Sequence, residues 1–160
     1  MTGWDALIDT PLGPMGATAT ASGVTRLHFD PRPRSAHSSG GGAHHLHALR
    51  TQLAEYFAGQ RRHFELPLAA TGSVFQHRVW ALLRAIDCGD TRSYGELARA
   101  LGDAGAARAV GLANVQNPLA IIVPCHRVIG ANGHLTGYAG GLARKQALLE
   151  LEGALSKSLF

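Results

Sequence analysis

Cys125 and His126 stand directly after Pro124, at the end of the apolar run Leu119-Ala120-Ile121-Ile122-Val123. A thiolate is a soft nucleophile, and it forms where a base or a positive field is at hand. The run reads as a buried strand, and proline, with no N–H to give a ladder, ends it and turns the chain. The turn matters because neighbouring side chains in a strand point to opposite faces. Only off the strand can the imidazole serve the sulfur. Spacing alone keeps a second reading open, a buried structural cysteine. Cys88 and Cys125 are the two cysteines of the chain, too few for a disulfide framework or a four-cysteine zinc site. In a reducing cytoplasm at least one is a free thiol.

The elements that must position these groups can be read around them. Ser73 caps a helix whose stripe is Phe75, Val79, Trp80, Leu82, Leu83 and Ile86. Cys88-Gly89-Asp90-Thr91-Arg92 breaks it. Ser93, with Glu96 three residues on, is a capping box opening a short helix through Tyr94, Leu97, Ala98 and Leu101. Gly102 to Gly105 turns the chain into a second short helix, Ala106 to Val115. The pair suggests a helix-turn-helix, although a plain helical hairpin has the same pattern. Ala106, Ala107, Ala109, Gly111 and Ala113 leave the second helix nearly bare around Arg108. Glycine in a helix costs about 1 kcal/mol relative to alanine, so something approaches this backbone closely. A packed neighbouring helix and a DNA groove both satisfy that demand.

The first 70 residues read differently. Pro11-Leu12-Gly13-Pro14 is a turn between two short extended runs, and Ser22-Gly23 marks another. Val24 to Phe29 alternates like a half-buried strand. Residues 31–42, rich in Pro, Ser and Gly, cannot bury a core and are expected to form a mobile loop. A helix is expected over 44–58, with Gly59 at its end. His63 to Leu68 alternates as a further strand. His37, His44, His45 and His47 read as a His-rich loop rather than a metal site.

These elements predict an α/β (α+β) chain. A small amino-terminal sheet-plus-helix domain, 1–70, precedes a mostly helical domain, 71–160, with a helix-turn-helix and a short active-site strand. The 160 residues are 46% hydrophobic, enough for a core. No stretch approaches the ~18 apolar residues of a membrane span, and no basic-then-apolar leader opens the chain. A soluble cytoplasmic protein is expected. Fifteen Lys+Arg against eleven Asp+Glu give a net +4, and Lys145 and Lys157 are the two lysines. A basic, arginine-rich balance is compatible with nucleic acid.

The run Asn117-Pro118-Leu119-Ala120-Ile121-Ile122-Val123-Pro124-Cys125-His126-Arg127-Val128 resembles the active-site signature of the O6-alkylguanine-DNA alkyltransferases. Around it, so do Phe75 to Trp80, Ser93-Tyr94, Ala106 to Gly111, Gly137 to Gly141 and Leu148 to Gly153. The resemblance spans 75–153 in order; before residue 70 it is loose, carried by Ile8 to Pro14. It implies direct-reversal DNA repair, an irreversible transfer of an alkyl group from O6 of guanine, and from O4 of thymine, to the protein's own Cys125. Each chain would act once. The partner implied is double-stranded DNA carrying the lesion, with no cofactor, no metal, no membrane and no obligate protein partner.

The resemblance also assigns roles. Glu152 orients His126, which activates Cys125 through water, and Asn117 braces the hinge before the active-site strand. Tyr94 donates toward the guanine ring nitrogen and helps rotate the phosphate. Backbone groups at Val128 and Ala139 read the base edge, and Tyr138 walls the alkyl pocket. Arg108 fills the stack that a flipped base vacates, while Ser93, Ala107 and Gly111 belong to the surface pressed into the minor groove. Without the resemblance, Glu152 reads as a solvated helix end, and Tyr94 and Tyr138 as core or rim aromatics.

Ala120 and Thr136 depart from relatives that carry proline and glycine there, Cys88 has no expected catalytic role, and Arg127 is assigned to structural pairing. Two other classes stay in view: a non-catalytic lesion-binding protein, which the cysteine argues against, and a helix-turn-helix regulator or thiol hydrolase.

Overall fold

The computed structural model describes residues 3–32 and 41–156. Most of the loop expected over 31–42, with His37, lies outside the described residues. The chain divides into two compact units: Met1–Thr71 joined by Pro118–Ala120, and Gly72–Asn117 joined by Ile121–Phe160. Pro118–Ala120, read in sequence as part of the second domain, thus belongs with the first.

The first unit is a three-stranded antiparallel sheet in the order β1 (Ala6–Ile8), β2 (Met15–Thr20), β3 (Gly23–Phe29). The turn before β2 closes as expected, with the Thr10 hydroxyl donating to the Gly13 carbonyl at 2.7 Å. Helix α1 (Ala43–Phe57) packs against β2 and β3, burying Leu49, Leu53 and Tyr56 beside a core that includes Met15, Val24 and Leu27. Each such side chain contributes roughly 1.5–3 kcal/mol. His44, His45 and His47 lie on α1 rather than in a loop, and His45 Nε2 approaches the Ala21 carbonyl at 3.1 Å.

Two expected strands do not form. In His63–Leu68, only Leu68 makes a bridge, parallel to Val24. The Gln52 side chain on α1 takes the Glu65 backbone instead, accepting from its N–H at 2.9 Å and donating to its carbonyl at 3.1 Å. Pro67 has no N–H to offer a ladder. Leu119–Val123 likewise yields a single bridge, Leu119 to Leu27, flanked by Leu27 N–H to Pro118 O and Ala120 N–H to Leu27 O. The chain then turns at Ile121, whose φ of 72° is left-handed. That conformation costs a β-branched residue on the order of 1–3 kcal/mol, and Ile121 is 1% exposed, so burial offsets it.

In the second unit, α2 (Val74–Arg84) opens on a capping box between Ser73 and Gln76, and α3 (Tyr94–Ala100) on one between Ser93 and Glu96. Each box satisfies two orphan N–H groups of the first turn. A 3₁₀ turn, Ala104–Ala106, leads into α4 (Ala107–Val115), which packs on α3 and α2. Trp80 Nε1 donates to the Ala113 carbonyl at 2.9 Å and locks α2 to α4. The short strand of the site follows the cysteine: β5 (Val128–Ile129) pairs in parallel with β4 (Arg92–Ser93). Helix α5 (Leu142–Glu152) ends at Gly153, whose φ of 83° suits glycine at a left-handed cap. Among the described residues, no helix is long and apolar enough to cross a membrane.

Candidate active site

Cys125 begins a buried 3₁₀ turn, Cys125–Arg127, rather than ending a strand. Pro124 starts it, and Arg127 N–H donates to the Pro124 carbonyl at 3.0 Å. The alternation of a strand is therefore gone, as the chemistry demands. Asn117, just beyond α4, donates from Nδ2 to the Val123 carbonyl at 2.7 Å and also hydrogen-bonds the thiol. Asn114, which the sequence reading missed, lies on the buried face of α4 and donates to the Cys125 carbonyl at 3.4 Å. Burial pushes the Cys125 thiol above its ordinary value, and the Asn117 bond and the Lys145 charge pull against it. The resting site holds a thiol, so a proton must leave as the sulfur reacts.

His126 and Arg127 meet Glu152 at the end of α5. His126 Nε2 is 2.7 Å from Glu152 Oε2, while Arg127 donates from Nε to Oε1 at 2.8 Å and from Nη2 to Oε2 at 2.9 Å. Arg127 Nη1 donates to the Ile86 carbonyl at 2.7 Å, which ties the cluster to the end of α2. Glu152 is 4% exposed and is no solvated helix end. Burial would raise its carboxyl, yet the bonds from His126 and Arg127 hold it down at about 2. Burial pushes His126 below its ordinary value despite the carboxylate. The imidazole is thus neutral, and its Nδ1 is buried without a partner among the described residues.

The buried stripe of α5 runs Lys145, Leu148, Leu149, Glu152. This i, i+3, i+4, i+7 spacing marks a helix face, and two charged residues on an apolar stripe were the legible sign that Lys145 belongs to the site. The sequence reading gave it no role. Lys145 is fully buried, and its Nζ donates to the Val128 carbonyl at 2.5 Å and the Thr136 carbonyl at 3.0 Å. Burial brings its ammonium down to about 8. Val128, whose N–H donates to the Cys125 carbonyl, opens β5. The Tyr94 hydroxyl lies 2.6 Å from Thr136 Oγ1. The Tyr138 ring stands edge-on to His126 at 6.5 Å, and its hydroxyl is buried without a partner among the described residues. Burial, then the nearby Cys125, pushes that phenol well above its ordinary range. Ala139 is exposed beside it.

Arg108 is exposed on α4, one residue past Ala107. Gly111 has a neighbour: a Cβ there would stand 3.8 Å from Cδ1 and Cε1 of Tyr94. Part of the small-residue surface therefore serves helix packing. Ser93 is occupied as a helix cap. Cys88 is buried near the end of α2 and is not part of a disulfide. No group of three or more His, Cys, Asp or Glu among the described residues could hold a metal ion.

Residues 74–154 match the family model described as 6-O-methylguanine DNA methyltransferase, DNA binding domain, and 5–70 match its ribonuclease-like domain. A methylated-DNA--protein-cysteine methyltransferase of Mycobacterium tuberculosis is 51% identical over 91% of this chain and 89% of its own length. One from Methanosarcina acetivorans is 45% identical over 93% and 97%. Among solved structures, Mycobacterium tuberculosis OGT in complex with DNA superposes with a TM-score of 0.84 at 50% identity, covering 92% of this chain and 91% of that one. An O6-methylguanine DNA methyltransferase from Methanococcus jannaschii gives 0.68 at 27% identity over 97% of both. With both of its halves matched and half of its residues shared with such a relative, the chain belongs to the methylated-DNA--protein-cysteine methyltransferase family.

Proposed function

We propose that this protein repairs DNA by taking the alkyl group of an O6-alkylguanine in a duplex onto Cys125, once per chain. The observation that carries the reading is a buried thiol followed in the chain by a buried imidazole, whose Nδ1 has no partner among the described residues and whose Nε2 faces a carboxylate. A carboxylate fixes the tautomer and stabilises the imidazolium that forms when the base takes a proton.

The step balances without a cofactor. The thiol proton passes, by way of water, to His126 Nδ1. Sγ attacks the alkyl carbon in line, the S–C bond forms, and the C–O6 bond breaks with its electron pair going to the leaving base. Tyr94 donates toward the ring nitrogen on which negative charge develops. The Val128 N–H is already given to the Cys125 carbonyl, so the Val128 carbonyl and a backbone group at Ala139 read the base edge, and Tyr138 bounds the alkyl pocket. The product is a thioether with no easy route back to thiol, so turnover ends there. O4-alkylthymine offers the same soft carbon.

A buried thiol cannot reach O6 of a stacked base, so the nucleotide must be flipped out, at a few kcal/mol. Arg108, exposed on α4, fills the gap, with Ala107 and Gly111 allowing close approach and Ser93-Tyr94 at the rotated phosphate. Binding through phosphates is salt-sensitive and weakly sequence-specific. The DNA complex of the solved Mycobacterium tuberculosis relative supports the partner. A thiol kept free for this use suits the reducing cytoplasm.

Mixing the protein with a duplex carrying one O6-methylguanine tests the proposal by mass spectrometry. One methyl on the Cys125 peptide, never more than one per chain and none in Cys125→Ser, is the expected result. Repeated turnover would indicate a hydrolase, and binding without adduct a lesion-binding protein.

A further inference from the structure

Thr136 is held on two sides. Its carbonyl accepts from Lys145 Nζ at 3.0 Å. Its methyl group lies 3.4 Å from where a Cβ on Gly130 would stand. Gly130 in turn closes a tight loop, donating from its N–H to the His134 carbonyl at 2.9 Å. Lys145 has no carboxylate within ion-pair distance among the described residues, and its ammonium donates to the Val128 and Thr136 carbonyls. A buried ammonium spent on two carbonyls fixes the backbone that carries them.

The phenol is held just as firmly. Tyr94 is the first residue of α3, behind the Ser93 capping box, with its ring against the backbone of Gly111. Its hydroxyl ends 2.6 Å from Thr136 Oγ1. A threonine hydroxyl and a phenol each carry one proton. The pair can therefore point both protons the same way along a chain, Thr136 to Tyr94 to a third acceptor.

We propose that Thr136 is a positioning residue for alkyl transfer, holding the Tyr94 phenol through this bond and turning its proton outward to the departing base. This rests on the alkyl-transfer reading and deepens it. In the absence of a base, the Tyr94 proton can rest on Thr136. When a ring nitrogen arrives, the Tyr94 proton turns to it and the Thr136 proton turns to the phenol oxygen. Both bonds are kept, no proton leaves either oxygen, and a hydroxyl that accepts a hydrogen bond becomes a better donor.

The test is single-turnover alkylation of an O6-methylguanine duplex by wild type, Thr136→Val, Thr136→Ser, Tyr94→Phe and the Thr136→Val/Tyr94→Phe pair, with duplex affinity measured separately. Loss of one hydrogen bond predicts a roughly 5- to 10-fold slower transfer in Thr136→Val, with affinity unchanged and the rate restored in Thr136→Ser. In the Tyr94→Phe background, Thr136→Val should add nothing. Thr136→Ala stands in if the valine variant fails to fold, with the same expected outcomes. A wild-type rate in the hydroxyl-less variant, or an equal loss with and without the phenol, overturns the role. Wild-type protein that accepts no methyl overturns the alkyl-transfer reading itself, and this role with it.

Discussion

Glu152 Oε2 lies 2.7 Å from His126 Nε2, inside a cluster closed from the other side by the Arg127 guanidinium. A carboxylate held at about 2 can only accept. The imidazole proton therefore sits on Nε2, and Nδ1 carries the lone pair. In the proposed reaction, this single contact decides which ring nitrogen acts as the base.

Replacing Glu152 by Gln removes that decision, since an amide can also donate. Alkylation of Cys125 at neutral pH should slow by roughly a hundredfold, within the range for losing an oriented general base. Affinity for the lesion duplex should stay close to wild type. Single-turnover kinetics and a binding titration check both parts, and an unchanged rate contradicts the base assignment.

Removing the carboxylate altogether should also unfold the site. Glu152→Ala leaves Arg127 buried without its counter-ion, and breaking such a pair costs about 3–5 kcal/mol. The double variant Arg127→Met/Glu152→Ala should recover a large part of that loss. Urea denaturation of wild type, Glu152→Ala, Arg127→Met and the double variant gives the comparison, and equal losses in Glu152→Ala and the double variant would refute it.

Stability should fall on acidification in two stages. The His126 value is depressed from 6.5, so the unfolded chain binds that proton first and stability declines as pH drops below about 6.5. The Glu152 value is depressed from 4.5 to about 2, so its contribution is complete above about 4.5 and is lost as pH falls toward about 2. Thermal melts across this range should show both stages in wild type. The lower one should shrink in Glu152→Gln; an unchanged acid limb there would place the titrating group elsewhere.

Arg108→Ala should slow repair of duplex DNA far more than reaction with a free O6-alkylguanine base. Only the duplex has a stack to fill, and flipping is a cost of a few kcal/mol. Rates with the two substrates settle it, and equal effects would remove the stack-filling role.

Several elements were legible because their physics is local. Ser73 with Gln76 and Ser93 with Glu96 place helix starts through bonds spanning three residues. The turn at Thr10–Gly13 and the stripe of α1 are local in the same sense. The strands expected over His63–Leu68 and Leu119–Val123 were not decided locally. Gln52, on α1, took the Glu65 backbone, and Ile121, itself buried, turned left-handed. Alternation describes which side chains are apolar, and a ladder also requires a partner whose N–H and C=O groups are free.

The amino-acid order by itself determined the reacting atom and its company, Pro124-Cys125-His126-Arg127, together with the capped helices that frame it. Folding alone decided that Glu152 would be buried against His126 and Arg127, and that Thr136 would meet Tyr94. These partners lie 25, 26 and 42 positions apart for Arg127–Glu152, His126–Glu152 and Tyr94–Thr136. No helical or strand period reaches across such separations. Charge becomes structure there only because packing has excluded water and left each buried group to find a counterpart in the protein.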